Sequence, residues 1–345
     1  MKGRPRHWLV TTKLDDITEG LFGQVVLYVF EVLPFLERAG VTPSWQVRSR
    51  LYGSPPDFLV LPGVFDTRLP APRAAPSRRR NLLLLRNLHR VALGHDWRYL
   101  HALWSRHFAV PARVLIQAEA LAPGPATLGL HFRGTDKLAA HWDTNPVSHA
   151  DFLALTADFI RTHPEVERLF VATDDAAFLE AVRNRFARLP VATSGVASFH
   201  KGARGSPSNA DHALLDCVLL SRCRWVLKTS SAFSAFAKVL NPDLAIFRVA
   251  ASKLFDVMPY FPVAYIPRWS SSDPECARIL GRLLQDDWLD DPVARAAWGA
   301  PFRTREVPVR DKIARLWRHY RPALQRRLAR VGAGRRGAAG GARKL

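Results

Sequence analysis

Hydrophobic and polar residues alternate most regularly along residues 126–132, where apolar side chains occupy every second position from Leu128 to Phe132. This two-residue period predicts a β-strand with one face in a core. The other face is polar and ends in His131 and Arg133. We therefore expect a strand that delivers an imidazole and a guanidinium to one edge of a sheet.

Downstream of residue 126 the strand and helix patterns alternate. The predicted strands are 126–132, 168–172, 190–193, 225–228 and 244–249, and the predicted helices are 148–163, 175–186, 210–221 and 232–240. Short connections between alternating strands and helices predict a parallel sheet with helices on both faces. The fold class is therefore α/β, with a Rossmann-like carboxy-terminal half.

The amino-terminal half has a less regular pattern. The predicted strands are 7–12, 41–47 and 58–61, and the predicted helices are a buried helix that ends at about residue 38, followed by 81–93 and 97–110. Residues 66–80 are rich in proline and arginine, which predicts an exposed loop. Prolines between residues 111 and 125 mark a boundary, so we divide the chain into 1–120, a first Rossmann-like domain, 121–300, a second one, and 301–345, a basic helix with a disordered tail.

Composition limits the class of protein. The chain has 345 residues, 48% of them hydrophobic, which indicates a globular protein, and no apolar run is long enough to span a membrane. No export signal is recognisable at the start, so we expect a cytoplasmic protein. Cys217, Cys223 and Cys276 lack metal-ligand spacing and are expected to be reduced core thiols, and no metal site is predicted.

The net charge of +20 is unevenly distributed. Residues 301–345 carry +12, which leaves +8 for the first 300 residues. Apolar residues recur at helical spacing from Ile313 to Val331, with Pro322 as an interruption. We expect residues 310–321 to pack back on the amino-terminal domain, and residues 322–345 to bring the protein to an anionic inner membrane surface.

Polar residues follow three of the predicted strands. The strand at 126–132 leads into Arg133, Gly134, Thr135, Asp136 and Lys137, whose cations suit a phosphate. The alternative is an Arg133–Asp136 ion pair that closes a turn. Because ligands bind at the carboxyl ends of strands in α/β sheets, we expect these side chains to line a site.

The next two strand ends add carboxylates and hydroxyls. Asp174 and Asp175 follow the strand at 168–172, and Thr173 or Asp174 is expected to cap the next helix. Residues around Asp216 lie on a helix, and a hydroxyl-rich turn follows the strand at 225–228. That turn holds Thr229, Ser230, Ser231 and, one residue further, Phe233. Hydroxyls at a helix start favour an anion, so a nucleotide or nucleotide-sugar site is indicated.

These three motifs resemble, in order and spacing, those of the GDP-fucose-dependent fucosyltransferase superfamily, which includes alpha-1,6-, nodulation and protein O-fucosyltransferases. The resemblance covers residues 126–250 and extends loosely to the glycine loop with Gly20, Gly23 and Gln24. It implies a GT-B fold, in which two Rossmann-like domains face a cleft. The first domain is then the acceptor side and the second binds the nucleotide sugar. It also implies an inverting, metal-independent enzyme with no cofactor, whose donor substrate is GDP-fucose and whose acceptor is a glycan.

The resemblance also implies roles for single residues. Arg133 would meet the donor diphosphate, Asp216 and the backbone near His131 would read the guanine, and Asp174 or Asp175 would contact the donor. Thr229, Ser230, Ser231 and Phe233 would line the phosphate pocket, near Asp136 and Lys137.

Two positions depart from the pattern of the alpha-1,6 enzymes. Position 134 is glycine where those enzymes have a second arginine, so the linkage does not carry over. Position 141 is histidine where they have a glutamate as the base. His141 could accept a proton near neutral pH, and Asp143 is the alternative base. Other nucleotide sugars, or a non-enzymatic nucleic-acid-binding role, remain alternatives. Carboxylates beside Arg133 argue against nucleic acid, so no nucleic-acid partner is expected.

Overall fold

The structure is a computed structural model, which describes residues 6–12, 27–49, 60–68, 75–89, 95–134, 147–195, 207–229, 231–249, 254–256 and 260–261. Within 309–325 it describes residues 309, 310, 312–314, 316, 317, 321 and 325. In chain order the amino-terminal elements are β1 (Arg6–Thr11), α1 (Leu27–Arg38), β2 (Val41–Gln46), α2 (Val60–Gly63), β3 (Asp66–Thr67), β4 (Arg78–Asn81), α3 (Leu82–His89), β5 (His95–Asp96), α4 (Trp97–His107), β6 (Phe108–Ala109) and α5 (Ala112–Ala120). They continue with β7 (Thr127–Phe132), α6 (His149–Thr162), β8 (Arg168–Thr173), α7 (Ala176–Arg185), β9 (Val191–Ala192), α8 (Pro207–Ser221), β10 (Trp225–Lys228), α9 (Ala232–Leu240), β11 (Ala245–Val249), β12 (Leu254–Asp256) and β13 (Tyr260–Phe261).

The amino-terminal sheet has the strand order β2-β1-β4, and both of its pairings are parallel. One sequence prediction is tested only in part here, and another is wrong. Residues 58–61 were expected to form a strand; residues 58 and 59 lie outside the described residues, and Leu61 is extended and forms an antiparallel bridge with Val47, although Val60–Gly63 is otherwise helical. Residues 66–80 were expected to be a loop, yet Arg78–Asn81 pairs with β1 as an edge strand. The arginine-rich sequence shows no strand pattern here, because an edge strand tolerates charged, exposed side chains.

The carboxy-terminal sheet has the order β12-β11-β10-β7-β8-β9. In the described part of the chain, strands β7 to β11 pair with one another in parallel, and β12 pairs antiparallel with β11. The predicted α/β class with a parallel sheet is therefore confirmed. The chain proceeds from β7 to β8 and β9 on one side, and then returns to β10 and β11 on the other. This reversal places a topological switch point between the carboxyl ends of β7 and β10.

Strand β7 is buried on both faces, although the alternating pattern predicted a polar second face. Leu128, Leu130 and Phe132 join a core with α6 and α7. On the other face Gly129 lies between α8 and β10, where a Cβ atom would approach Leu220 of α8 and Val226 of β10 to 3.0 Å. A central parallel strand is covered by helices on both sides, so its polar residues are buried too.

The amino-terminal half shares one buried cluster with α8 and α9. Trp104 on α4 packs edge-on against Phe236 on α9, with ring centroids 5.2 Å apart. The ring centroids of Phe65 and Trp104 are 4.6 Å apart. Helix α5 occupies the segment that the sequence marked as a boundary, and it buries Val114 and Ala118. Aromatic packing therefore joins α4 to α9, the helix that follows β10.

Two further sequence expectations concern the described residues. Cys217 and Cys223 are buried and form no disulfide, as predicted, while Cys276 lies outside the described residues. In the part of the chain that the structure describes, no helix is long and apolar enough to cross a membrane.

Candidate functional site

The candidate site lies at the switch point, where hydrogen bonds join the ends of β7 and β10. The backbone N–H of Thr229 donates to the carbonyl of His131 over 3.0 Å. The backbone N–H of Arg133 donates to the Thr229 hydroxyl over 3.1 Å. Two motifs that are 96 residues apart in sequence therefore meet at one edge of the sheet.

Arg133 is held at this edge by a carboxylate from the neighbouring strand β8. Its Nε lies 3.0 Å from Oδ2 of Asp174, and the backbone N–H of Gly134 donates to Oδ1 of the same carboxylate over 2.7 Å. Asp174 is nearly buried, whereas the Arg133 side chain is 25% exposed. A fixed guanidinium that reaches solvent suits an anionic ligand, because its planar fork matches phosphate oxygens. The partner described for Arg133 is thus Asp174; Asp136 lies outside the described residues.

His131 is buried beside this arginine. Its ring stacks on Phe233, with centroids 5.1 Å apart, and burial lowers the pKa of His131 well below its usual value. The nearby cations Lys228 and Arg133 lower this pKa further, so the imidazole is neutral at physiological pH. Within the described part of the chain its Nδ1 atom has no hydrogen-bond partner. A buried nitrogen without a partner is costly, so it is a natural contact for a ligand.

Asp175 has a structural role that the sequence assigned to its neighbours. Thr173 or Asp174 was expected to cap the following helix, but the N-cap of α7 is Asp175, whose Oδ1 accepts from the backbone N–H groups of Ala177 and Phe178. Its Oδ2 lies 2.9 Å from Nε2 of His149. Asp174 instead pairs with Arg133, so each of the two adjacent carboxylates that follow β8 has its own partner. Donor contact by Asp175 stays a prediction.

The start of α9 forms another wall of the switch point. Ser231 is its N-cap and accepts a hydrogen bond from the backbone N–H of Phe233 over 3.2 Å, as the sequence allowed. The following turn presents helix N–H groups, which attract negative charge. Thr229, Ser231 and Phe233 are therefore placed by the structure around the β10–α9 connection, beside Arg133 and His131.

Asp216 belongs to a second polar cluster, on α8. Ser194 donates a hydrogen bond to Asp216 Oδ1, and the Ser194 hydroxyl also lies 3.0 Å from Nε2 of His212. Burial raises the pKa of Asp216 to about 6, while the Ser194 hydrogen bond and the His212 charge oppose that rise. Sequence reasoning missed Ser194, although its position directly after a predicted strand was a usable signal.

Several predicted residues lie outside the described residues, so their roles stay predictions. They are Asp136, Lys137, His141, Asp143, Ser230 and the cleft-loop residues Gly20, Gly23 and Gln24. Among the residues that are described, no group of three or more His, Cys, Asp or Glu side chains could hold a metal ion.

Gly134 explains one departure from the alpha-1,6 pattern. A Cβ atom at this position would lie 2.5 Å from Oδ2 and 2.7 Å from Cβ of Asp175. Because Asp175 is fixed by the helix cap and by His149, a side chain at position 134 does not fit without movement. The second arginine of those enzymes is therefore incompatible with this arrangement.

The fold and the site together define an α/β protein in which Arg133, His131 and the start of α9 lie at the switch point of a parallel sheet. Comparison with known proteins gave structural matches alone: no family model and no curated protein sequence matches the chain. The structure is similar to NodZ alpha-1,6-fucosyltransferase soaked with GDP-fucose, at 16% identity and a TM-score of 0.45, over 73% of this chain and 99% of that one. It is also similar to fucosyltransferase NodZ from Bradyrhizobium, at 17% identity and a TM-score of 0.44, over 71% and 96% of the two chains. A third similar structure is POFUT1 in complex with GDP, at 10% identity and a TM-score of 0.44, over 72% and 98%.

Proposed function

We propose that the protein is an inverting, metal-independent glycosyltransferase of the GT-B type, which transfers fucose from GDP-fucose to a glycan acceptor. The observation that carries the proposal is Arg133, a solvent-reaching guanidinium fixed by Asp174 at the switch point. The three sequence motifs supply the choice of GDP-fucose as donor. The acceptor is assigned by its class alone.

The proposed chemistry requires stabilisation of a leaving group. Breaking the bond between fucose and the diphosphate leaves negative charge on GDP, which a positioned cation and helix N–H groups stabilise most in the transition state. Arg133 supplies the cation, and the start of α9 after Ser231 supplies N–H groups. Asp174 is a positioning residue in this proposal, because it holds Arg133 in place; contact of Asp174 with the donor stays a prediction.

The remaining residue roles in the proposed mechanism are taken from the sequence motifs. The acceptor hydroxyl must lose a proton, and His141 is the proposed base, with Asp143 as the alternative. Asp216 and the β7 end near His131 would recognise the purine. The neutral, buried imidazole of His131 supports a hydrogen-bonding role in preference to a charge role.

The test is Arg133→Ala, with Arg183→Ala as a matched control. Arg183 is an exposed arginine that pairs with Glu180 on α7, so its loss removes one positive charge away from the switch point. Binding of GDP, UDP and ADP is measured by calorimetry, and transfer is measured with GDP-fucose and a panel of glycans. We expect wild type to prefer GDP, and Arg133→Ala to lose roughly 10²–10³-fold in rate. Its thermal melt should stay cooperative but shift to lower temperature, because the nearly buried carboxylate of Asp174 loses its partner.

Each contrary result has a distinct meaning. Full transfer by Arg133→Ala would refute the role of Arg133. Preference for UDP or ADP would favour another nucleotide sugar. Absence of nucleotide binding by the wild type would leave the non-enzymatic alternative. Equal losses in Arg183→Ala would show that net charge, rather than position, determines the effect.

A further inference from the structure

The described residues within 309–325 are helical and include an exposed apolar side. Val309, Ile313 and Trp317 are spaced four residues apart, so they lie along one side of the helix. Their exposed fractions are 71%, 61% and 58%, respectively. The sequence predicted that residues 310–321 pack back on the amino-terminal domain, and that stays a prediction; Ile313 and Trp317, two residues of the predicted apolar stripe, are exposed. Large apolar residues in a row on a surface mark an interaction site.

Cationic residues flank this apolar side. With 3.6 residues per turn, Lys312 projects next to one margin of the apolar arc, and Arg310 and Arg321 project next to the other. Both arginines are exposed and Lys312 is partly exposed. Long cationic side chains beside an apolar arc can reach lipid phosphates while their stems stay on the apolar surface. This arrangement is typical of helices that lie in a membrane interface.

Charge decides between the candidate partners. Residues 301–345 carry +12, so pairing of this side with the same side of a second copy would bring two strongly positive segments together. An acidic lipid surface offers apolar volume and negative charge at the same depth. Nucleic acid offers charge but no continuous apolar phase for Val309 and Ile313.

We propose that the helix within residues 309–325 docks on an anionic membrane surface. Val309, Ile313 and Trp317 enter the boundary between headgroups and acyl chains, and the flanking cations contact lipid phosphates. The contact therefore begins before Pro322, earlier than the segment 322–345 that the sequence indicated. The proposal does not depend on the donor or on the transfer reaction, so each can fail without the other.

The test is co-sedimentation of the full chain with vesicles of phosphatidylcholine, with and without phosphatidylglycerol. The double variant Ile313→Glu/Trp317→Glu removes the apolar contact. Its control is Ile116→Glu, which places one of these negative charges on an exposed apolar residue of α5, 69% exposed. A second variant, Arg310→Gln/Arg321→Gln, removes two cations and keeps the apolar side.

We expect wild type and Ile116→Glu to bind phosphatidylglycerol vesicles equally, and binding to weaken with salt. The apolar double variant should lose binding by more than tenfold, with an unchanged thermal melt. The cationic double variant should bind about 25-fold more weakly, since each cation accounts for about fivefold. Equal binding by wild type and the apolar double variant would overturn the proposal. So would self-association that the apolar double variant abolishes without any lipid binding, or equal binding to neutral vesicles.

Discussion

Gly134→Ala is the substitution whose effect follows most directly from the geometry. The new Cβ atom would lie 2.5 Å from Oδ2, 2.7 Å from Cβ and 3.0 Å from Cγ of Asp175. Asp175 cannot yield freely, because Oδ1 caps α7 and Oδ2 contacts His149. The same shift would disturb Asp174, which accepts a hydrogen bond from the Gly134 N–H and holds Arg133.

Three effects contribute to the expected change in the free energy of unfolding, two destabilising and one stabilising. Overpacking costs about 1–3 kcal/mol, and a weakened N-cap costs about 0.5–2 kcal/mol. Replacing glycine by alanine also restricts the unfolded chain, which stabilises the folded state by about 0.4–1 kcal/mol. The free energy of unfolding should therefore fall by about 1–4 kcal/mol.

Urea denaturation followed by tryptophan fluorescence measures this change. Gly124→Ala is the matched control, since the nearest atom to its Cβ would be Arg168 Cζ at 4.0 Å, and it should be neutral or slightly stabilising. An Asp175→Gly background removes all three contacted atoms, and glycine is itself a tolerated N-cap. Gly134→Ala should cost nearly nothing there. An equal cost in both backgrounds would refute the steric reasoning.

Two further predictions concern pH and metal. Burial raises the pKa of Asp216 to about 6, above its unfolded value of 3.8. Protonation of this carboxyl therefore stabilises the folded chain below about pH 4, and that contribution is lost as pH rises through 6. The free energy of unfolding of Asp216→Asn, measured relative to that of wild type, should therefore rise by up to about 3 kcal/mol between pH 4 and pH 7. A stability difference that stays constant over this range would contradict the assignment. Saturating EDTA should leave fucose transfer unchanged, because Arg133 is assigned to the leaving group, and activity restored by Mg²⁺ or Mn²⁺ alone would show a different mechanism.

The sequence predicted most elements between residues 126 and 249. Strand β10 and helix α9 have the predicted bounds, because hydrophobic period, Pro, Gly and cap residues are local signals. Those signals were weaker in the amino-terminal half. There, Arg78–Asn81 carries no strand pattern and is ordered by its pairing with β1.

The polar residues that meet at the switch point stand out in the sequence, but their contacts do not. The order of strands decides that Arg133 meets Thr229, and it also decides that Asp174 pairs with Arg133 while Asp175 caps α7. Burial of His131 and exposure of Trp317 likewise depend on what packs against each residue. Local patterns determine which segments become strands and helices, whereas neighbours in space are chosen by burial and hydrogen bonding over the whole chain, which no short stretch of sequence encodes.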